Sequence, residues 1–512
     1  MPPSPQPPTT PTTPTTPTTP TTPTTPTTPT TPAPAQAAAP RLLQWIDARF
    51  PVSALWRRHF TGYAVPRNLN VWYVFGSLAM LVLVIQFVSG LFLTMHYKPD
   101  AALAFDSVER IMRDVPWGWL IRYVHSTGAS LFFGVLYLHL FRGLIYGSYR
   151  KPRELVWLVG CFSFLCMMAE AFFGYLLPWG QMSYWGAQVI VNLFSAIPGI
   201  GPGLATWIRG DFVVSDVTLN RFFAFHVIAV PLLLALVVAL HLSTLRQVGS
   251  SNPDGIDIVP APPGTADMPA DTAPFHPYFV LKDLLAAALF LTLFAAIVFF
   301  APTFGGYFLE ANNFIPADTL HTPAEIAPVW YFTPFYAMLR ATTEDFKIVL
   351  MVIAGAWGLL GLRRRARVSG AARAGDGGAG RRWTRPLVAL ALVLAMSVTE
   401  AKLWGVILMA GAVLILFFLP WLDRGPVRSI RYRPRGQAFA YAALVVAFVV
   451  LGVLGIRPPD AVATRLAQAC TLVYFGFFLG MPWWSVRGRF RAEPARITLS
   501  RAERRRLANG GR

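Results

Sequence analysis

Long apolar runs alternate with short polar connections along most of the chain. Runs near the ~20 residues that cross a bilayer fall at about 74–95, 121–145, 155–177, 222–245 and 279–302. Five more fall at about 346–362, 387–400, 403–422, 437–456 and 466–484. The stretch 387–422 holds two of these, with the polar TEAK (399–402) between them. The pattern predicts an all-α polytopic membrane protein of about ten transmembrane helices.

Charge then orients the spans. RKPR (150–153), RRRAR (363–367) with RR (381–382), and DRGPVRSIRYRPRG (423–436) occupy alternate connections. RRH (57–59) and the tail 487–506 are basic as well. With ten spans all of these lie on one side, which the positive-inside rule makes cytoplasmic, both termini included. The longer loops 97–119, 178–220 and 303–345 then face outward. A bacterial inner (cell) membrane is the expected location. Composition agrees, since 54% of the 512 residues are hydrophobic and only 13% charged, unlike a large soluble core. The net charge of +19 therefore marks topology and contact with anionic lipid, and no nucleic-acid partner is expected. Cys161, Cys166 and Cys470 each lie in apolar stretches, so neither a disulfide framework nor a CxxCH haem-attachment motif is present. Residues 1–40 are a PTT repeat and an Ala/Pro run with no visible secretory leader, expected to be a disordered, solvated tail.

Against this apolar background, HSTGASLFFGVLYLH (125–139) carries a histidine at each end. Fourteen residues advance a helix by about 21 Å and stop about 40° short of four turns, so His125 and His139 share a face near opposite membrane surfaces. His226 and His241 lie in the fourth span, which runs in the same direction. The register forms two stacked pairs, His125 with His226 outside and His139 with His241 inside. Neutral imidazole is a good axial ligand, so each pair is a candidate to hold the iron of one b-type haem. Gly76 and Gly90, and likewise Gly160 and Gly174, are also 14 apart. They would clear space for a flat macrocycle at both depths, although glycine pairs also serve plain helix packing. Arg122 and Arg142, each three residues from a histidine, can answer haem propionates; Arg142 could equally be a positive-inside anchor. His226 to His241 spans 15 residues, overshooting four turns by about 60°. Pro231 lies between, and a kink or π-bulge is expected to restore the alignment.

GYLLPWGQMSYWG (174–186), TLNRFFAFH (218–226), GSSNPDGI (249–256), YFLEANNFIPADTLHTP (307–323) and RSIRYRP (428–434) resemble cytochrome b of the quinol–cytochrome c reductase (bc1) complex. The resemblance covers roughly residues 41–490. It implies two b haems, ubiquinone or ubiquinol as substrate, and two quinone sites. It also implies a homodimer and partners carrying a Rieske iron–sulfur cluster and cytochrome c1. The expected activity is a Q cycle: bifurcated quinol oxidation outside, electron transfer across the membrane, quinone reduction inside and proton translocation. The implied layout is a disordered tail 1–40, a four-helix di-haem domain 41–250, a C-terminal domain 251–490, and a basic cytoplasmic tail 491–512. A stretch near 344–401 exceeds the family's eight-helix core and adds two spans.

For the outer site the resemblance implies Gly186, Tyr331 and Tyr336, with Pro328, Val329 and Trp330 of PVWY where the family has PEWY. Val329 cannot accept a quinol proton. Glu325, four residues earlier and returned by a chain reversal at Pro328, and then His321 are the expected replacements. For the inner site it implies LRQVGSSNP (245–253), with Arg246 and Ser250, and VLKDLL (280–285). Asp283 is an acid just inside an apolar span, by default a functional position. It would shuttle protons while Arg246 or Lys282 fixes a semiquinone oxygen. The histidine spacing and Arg246 resemble the related b6 type. A b6-type or menaquinol-specific reductase is therefore one rival, and a secondary transporter with a histidine relay is another.

Overall fold

The computed structural model describes residues 41–57, 62–258, 269, 271–369 and 379–499, and the side chains of 361–383 are not among them. The Pro/Thr-rich tail and most of the basic C-terminal tail lie outside the described residues. Two short helices, Arg41–Asp47 and Val52–Trp56, form a unit of their own. Everything else belongs to a second unit that is almost entirely helical.

Eight helices among the described residues are long and apolar enough to cross a membrane. They are Val71–Thr94, Gly118–Tyr146, Glu154–Leu176, Asp216–Val248, Phe275–Phe300, Ala401–Leu422, Arg435–Ile456 and Ala461–Trp484. The other two expected spans are helices as well, Glu344–Ser369 and Ala379–Val398, and they pack against each other. Their base is fastened where the next span begins: Lys347 donates to the Thr399 carbonyl at 2.7 Å, and Glu344 accepts from Ala401 N at 2.9 Å.

Because a bilayer offers no partners for backbone groups, each span satisfies its own, and its apolar residues divide between lipid and protein. Leu232, Leu236, Leu284 and Leu289 are exposed, as lipid-facing side chains would be. Phe133, Leu176, Leu444 and Leu451 are fully buried. The first span packs on the second and the third on the fourth, while the fifth lies against the second and first. The C-terminal spans gather around the short helix Thr333–Ala341. Gly455 permits that close approach, since a Cβ there would lie 2.2 Å from the Thr333 carbonyl oxygen.

One end of the bundle is tied by buried carboxylates. Asp254 accepts from Asn68 (2.9 Å), Arg431 (2.9 Å), Tyr432 (2.9 Å) and Thr498 N (2.7 Å). These bonds join GSSNPDGI to RSIRYRP. Burial alone would raise the Asp254 carboxyl, but the bonds from Thr498, Tyr432 and Arg431 more than offset it and hold it below the usual range. Asp423 is paired with Arg433, both side chains fully buried, and also accepts from Tyr149 at 2.6 Å.

Candidate functional site

The histidines stand in the two tiers that the spacing predicts. At one level the rings of His125 and His226 face each other edge-on, centroids 6.1 Å apart at 90°. The extra residue between His226 and His241 is absorbed by a π-helical turn, Phe225–Ala229, immediately before Pro231. A π-turn inserts one residue without ending the helix, so both histidines keep the face toward the second span.

The outer pair has its ring nitrogens assigned by neighbours. His125 Nδ1 lies 2.9 Å from Ser89 Oγ, whose own proton goes to the Ile85 carbonyl at 2.6 Å. The hydroxyl is therefore the acceptor and Nδ1–H the donor. His226 Nδ1 lies 2.9 Å from the Glu170 carbonyl oxygen and 3.0 Å from its carboxylate Oε1, both acceptors only. Each ring thus presents a bare Nε2, the arrangement metal-bound imidazoles need. His139 Nδ1 is 3.5 Å from Arg142 Nη2, too long to fix a tautomer.

Each of the spaced glycines lies beside one of these rings. A Cβ at Gly90 would sit 3.2 Å from His125 Cε1, and one at Gly174 only 2.3 Å from His226 Cε1. At the other tier, a Cβ at Gly76 would be 3.4 Å from His139 Cε1 and one at Gly160 3.1 Å from His241 Cε1. The cradle a side chain would fill is present four times over, which fits a flat group held between helices. Arg122 lies one turn before His125 on the same helix.

The inner tier opens into a cavity of about 690 Å³. His139, His241, Gly76, Gly160 and Arg142 line it, and so do Arg246, Ser250, Lys282 and Asp283. Lys282 and Asp283, on the fifth span, thus meet histidines of the second and fourth spans in one space. Asp283 accepts from Ser77 Oγ at 2.7 Å, and Lys282 donates to Tyr278 OH at 3.1 Å. The Arg246 guanidinium stacks 3.8 Å over the Tyr63 ring, and Ser250 Oγ lies 3.4 Å from Tyr63 OH.

A second cavity, about 960 Å³ and mostly aliphatic and aromatic, lies by the outer tier. Gly186, Pro328 and Tyr336 line it, with Phe173 and Phe225 flanking the Gly174 and His226 positions. The two loops meet here: Gln181 N donates to the Ile315 carbonyl and Ala317 N to that of Trp179, each at 3.0 Å. Val329 and Tyr331 are buried behind Pro328, and the Tyr331 ring stacks on Phe133 with centroids 4.0 Å apart. Trp330 is half-buried and also outside the lining.

The expected proton acceptors are not brought in. Glu325 and His321 are both exposed and neither lines the cavity. Gln181 Nε2 holds the His321 carbonyl at 2.6 Å, so this loop is pinned by its backbone while its polar side chains stay at the surface. Two acids escaped the sequence reading. Glu170 is a carboxylate inside an apolar span, and the rule that flags Asp283 applies equally to it. Glu310, in YFLEANN, carries no such mark. It is half-buried and accepts from Tyr175 OH at 3.1 Å. Burial pushes its carboxyl up from 4.5 to about 7.

Comparison with known proteins agrees with this geometry. The family described as Cytochrome b/b6/petB matches residues 60–249, and Cytochrome b(C-terminal)/b6/petD matches 316–371 and 387–475. This chain belongs to the cytochrome b family. Cytochrome b of Allochromatium vinosum is 52% identical over 89% of this chain and 98% of its own length. That of Rhodospirillum rubrum is 43% identical over 86% and 91%. A solved structure titled "Hyperthermophilic respiratory Complex III" aligns with a TM-score of 0.69 and 33% identity, covering 86% of this chain and 98% of that one. The chain is an integral membrane protein, and the break in the second family match, between 371 and 387, includes the first turns of the helix Ala379–Val398.

Proposed function

We propose that this chain is the haem-b subunit of a bc1-type respiratory complex III, a ubiquinol–cytochrome c reductase working by a Q cycle. One observation carries the reading: two tiers of histidine and glycine at opposite depths, each beside its own cavity. His125 and His226 would hold the outer haem, and His139 and His241 the inner, with Arg122 and Arg142 answering propionates. When bound, the two haems supply one-electron transfer across the membrane between the cavities.

The chain's own contribution is positioning. Glu170 and Ser89 orient the outer imidazoles through Nδ1, keeping Nε2 available and raising its basicity. The outer cavity, with Gly186, Pro328 and Tyr336 in its wall, admits an apolar quinol ring and excludes water. The inner cavity adds charge: Asp283, held by Ser77, can pass protons to a quinone oxygen, while Arg246, Ser250 and Lys282 stand within the same lining to hold it. Protons then leave outside and enter inside. The basic connections assign the inner side, with both termini, to the cytoplasm of a bacterial cell. Domains 41–250 and 251–490 follow the proposed division, with the two-helix insertion at 344–401. A Rieske protein, cytochrome c1 and a second copy of the chain complete the assembly.

The test is a dithionite-reduced optical spectrum of the purified complex with pyridine haemochrome quantitation. Two b haems per chain are expected. A preparation with none would end the proposal in favour of the transporter reading, and redox titration of the haems separates a ubiquinol from a menaquinol enzyme.

A further inference from the structure

Quinol oxidation in a dry cavity needs a base within reach directly or through one relay, and PVWY supplies none. We propose that Glu310, reached through the Tyr175 hydroxyl, takes the place of the absent glutamate as the outer-site proton acceptor. This rests on the quinol-oxidising function proposed above.

Three observations support it. Tyr175 closes the third span, one residue after Gly174, and its ring packs against Gly186: a Cβ on Gly186 would lie 3.5 Å from Tyr175 Cε1. Gly186 is itself in the outer cavity wall, and Tyr175, which is not in the lining, stands just behind it, within reach of a bound quinol through one water. On the far side, Tyr175 OH donates to Glu310 Oε2 at 3.1 Å. The loop carrying Glu310 is locked against the PWGQ segment, Ser183 N donating to Asn313 Oδ1 at 3.0 Å. The tyrosine–carboxylate pair is therefore set by two long motifs and is not a chance surface contact. Finally, Glu310 is partly accessible, which opens a route for the proton to the outside.

The step is a proton transfer. The hydroquinone O–H bond breaks as Tyr175 receives that proton, and Tyr175 passes its own to the Glu310 carboxylate. The O–H electron pair stays on the quinol oxygen as a hydroquinone anion, and no electron leaves until the one-electron acceptors of the complex take it. Among the described residues, the titratable groups facing Glu310 are the phenols of Tyr175 and Tyr331. With its carboxyl near 7, Glu310 is an acceptor only in the ionised form, so turnover should climb as pH rises through that value.

The experiment is steady-state quinol oxidation by the intact complex across pH, with haem content measured in every preparation. Glu310→Gln should lower kcat at least tenfold and flatten the limb near pH 7, with both haems retained. Tyr175→Phe should do the same, and Glu310→Asp should recover part of the rate. Val329→Glu added to Glu310→Gln should restore turnover by returning a carboxylate beside Pro328, which is in the cavity wall. If Glu310→Gln and Tyr175→Phe keep both haems and the parental rate and pH profile, the proposal is overturned. A parent complex that oxidises no quinol would overturn the underlying function instead.

Discussion

Adding one methyl group at Gly174 tests the haem cradle most directly. An alanine Cβ there would lie 2.3 Å from His226 Cε1, 2.7 Å from Nδ1 and 2.9 Å from Nε2. Carbon–carbon contacts settle near ~3.5–4.0 Å, so the ring must retreat by more than about 1 Å. It is not free to do so, because Nδ1 is held at 2.9 Å by the Glu170 carbonyl and at 3.0 Å by its carboxylate. Giving up a hydrogen bond to a charged group costs ~1.5–3 kcal/mol, and at ~1.4 kcal/mol per decade this weakens outer-haem retention roughly 10- to 150-fold. Gly76→Ala is the matched control, since its Cβ would meet His139 Cε1 at 3.4 Å, close to ordinary contact. Pyridine haemochrome quantitation per chain after purification reads both variants. Gly174→Ala should fall toward one haem and Gly76→Ala should keep two. Two haems in Gly174→Ala beside a loss in Gly76→Ala would show that the cradle distances do not govern binding.

Further outcomes follow from the same structure. His139→Leu should remove the inner haem and spare the outer, because no second histidine lies at that depth of the second span; two haems per chain in this variant would refute the pairing. A reporter fused into the connection 363–386, rich in arginine, should read as cytoplasmic, and an external reading would remove the topology with both termini inside. Asp423→Asn leaves Arg433 buried without its countercharge, which should cost ~3–5 kcal/mol and lower the thermal midpoint of the detergent-solubilised protein. Burial alone would raise the Asp423 carboxyl, but Arg433 and Tyr149 outweigh it and hold the group below 3.8. Its contribution is therefore present at neutral pH and is lost on acidification through that depressed value, so the parent and Asn variant should converge at low pH.

What could be read before folding came from periodicity and charge. Length and apolarity mark the spans because a helix must cover the hydrocarbon thickness whatever its neighbours. The 14-residue intervals announce two depths because helical rise is a local constant. Even the irregular 15-residue interval pointed to the π-turn, since one extra residue in a fixed register has few places to go. Asp283 was legible because a charge in an apolar run stands out against its background, whereas Arg246, Ser250 and Lys282 came from the resemblance.

Glu310, Glu325 and His321 were not separable in this way. All three lie in one polar loop, and sequence order favoured Glu325, four residues from Val329. Which of them is buried depends on how residues 307–323 fasten to the PWGQ segment, through Asn313, Ile315 and Ala317. Those are backbone and amide bonds with no periodic trace. The sequence by itself determined the membrane class, the depths of the histidines and the side on which positive charge gathers, because each follows from spacing along one helix or connection. Only the tertiary structure decided which glycine meets which imidazole, that Glu170 and Ser89 assign the ring nitrogens, and that Tyr175 points at Glu310. Those facts are distances between segments far apart in the chain, and local geometry places no constraint on them until the helices pack.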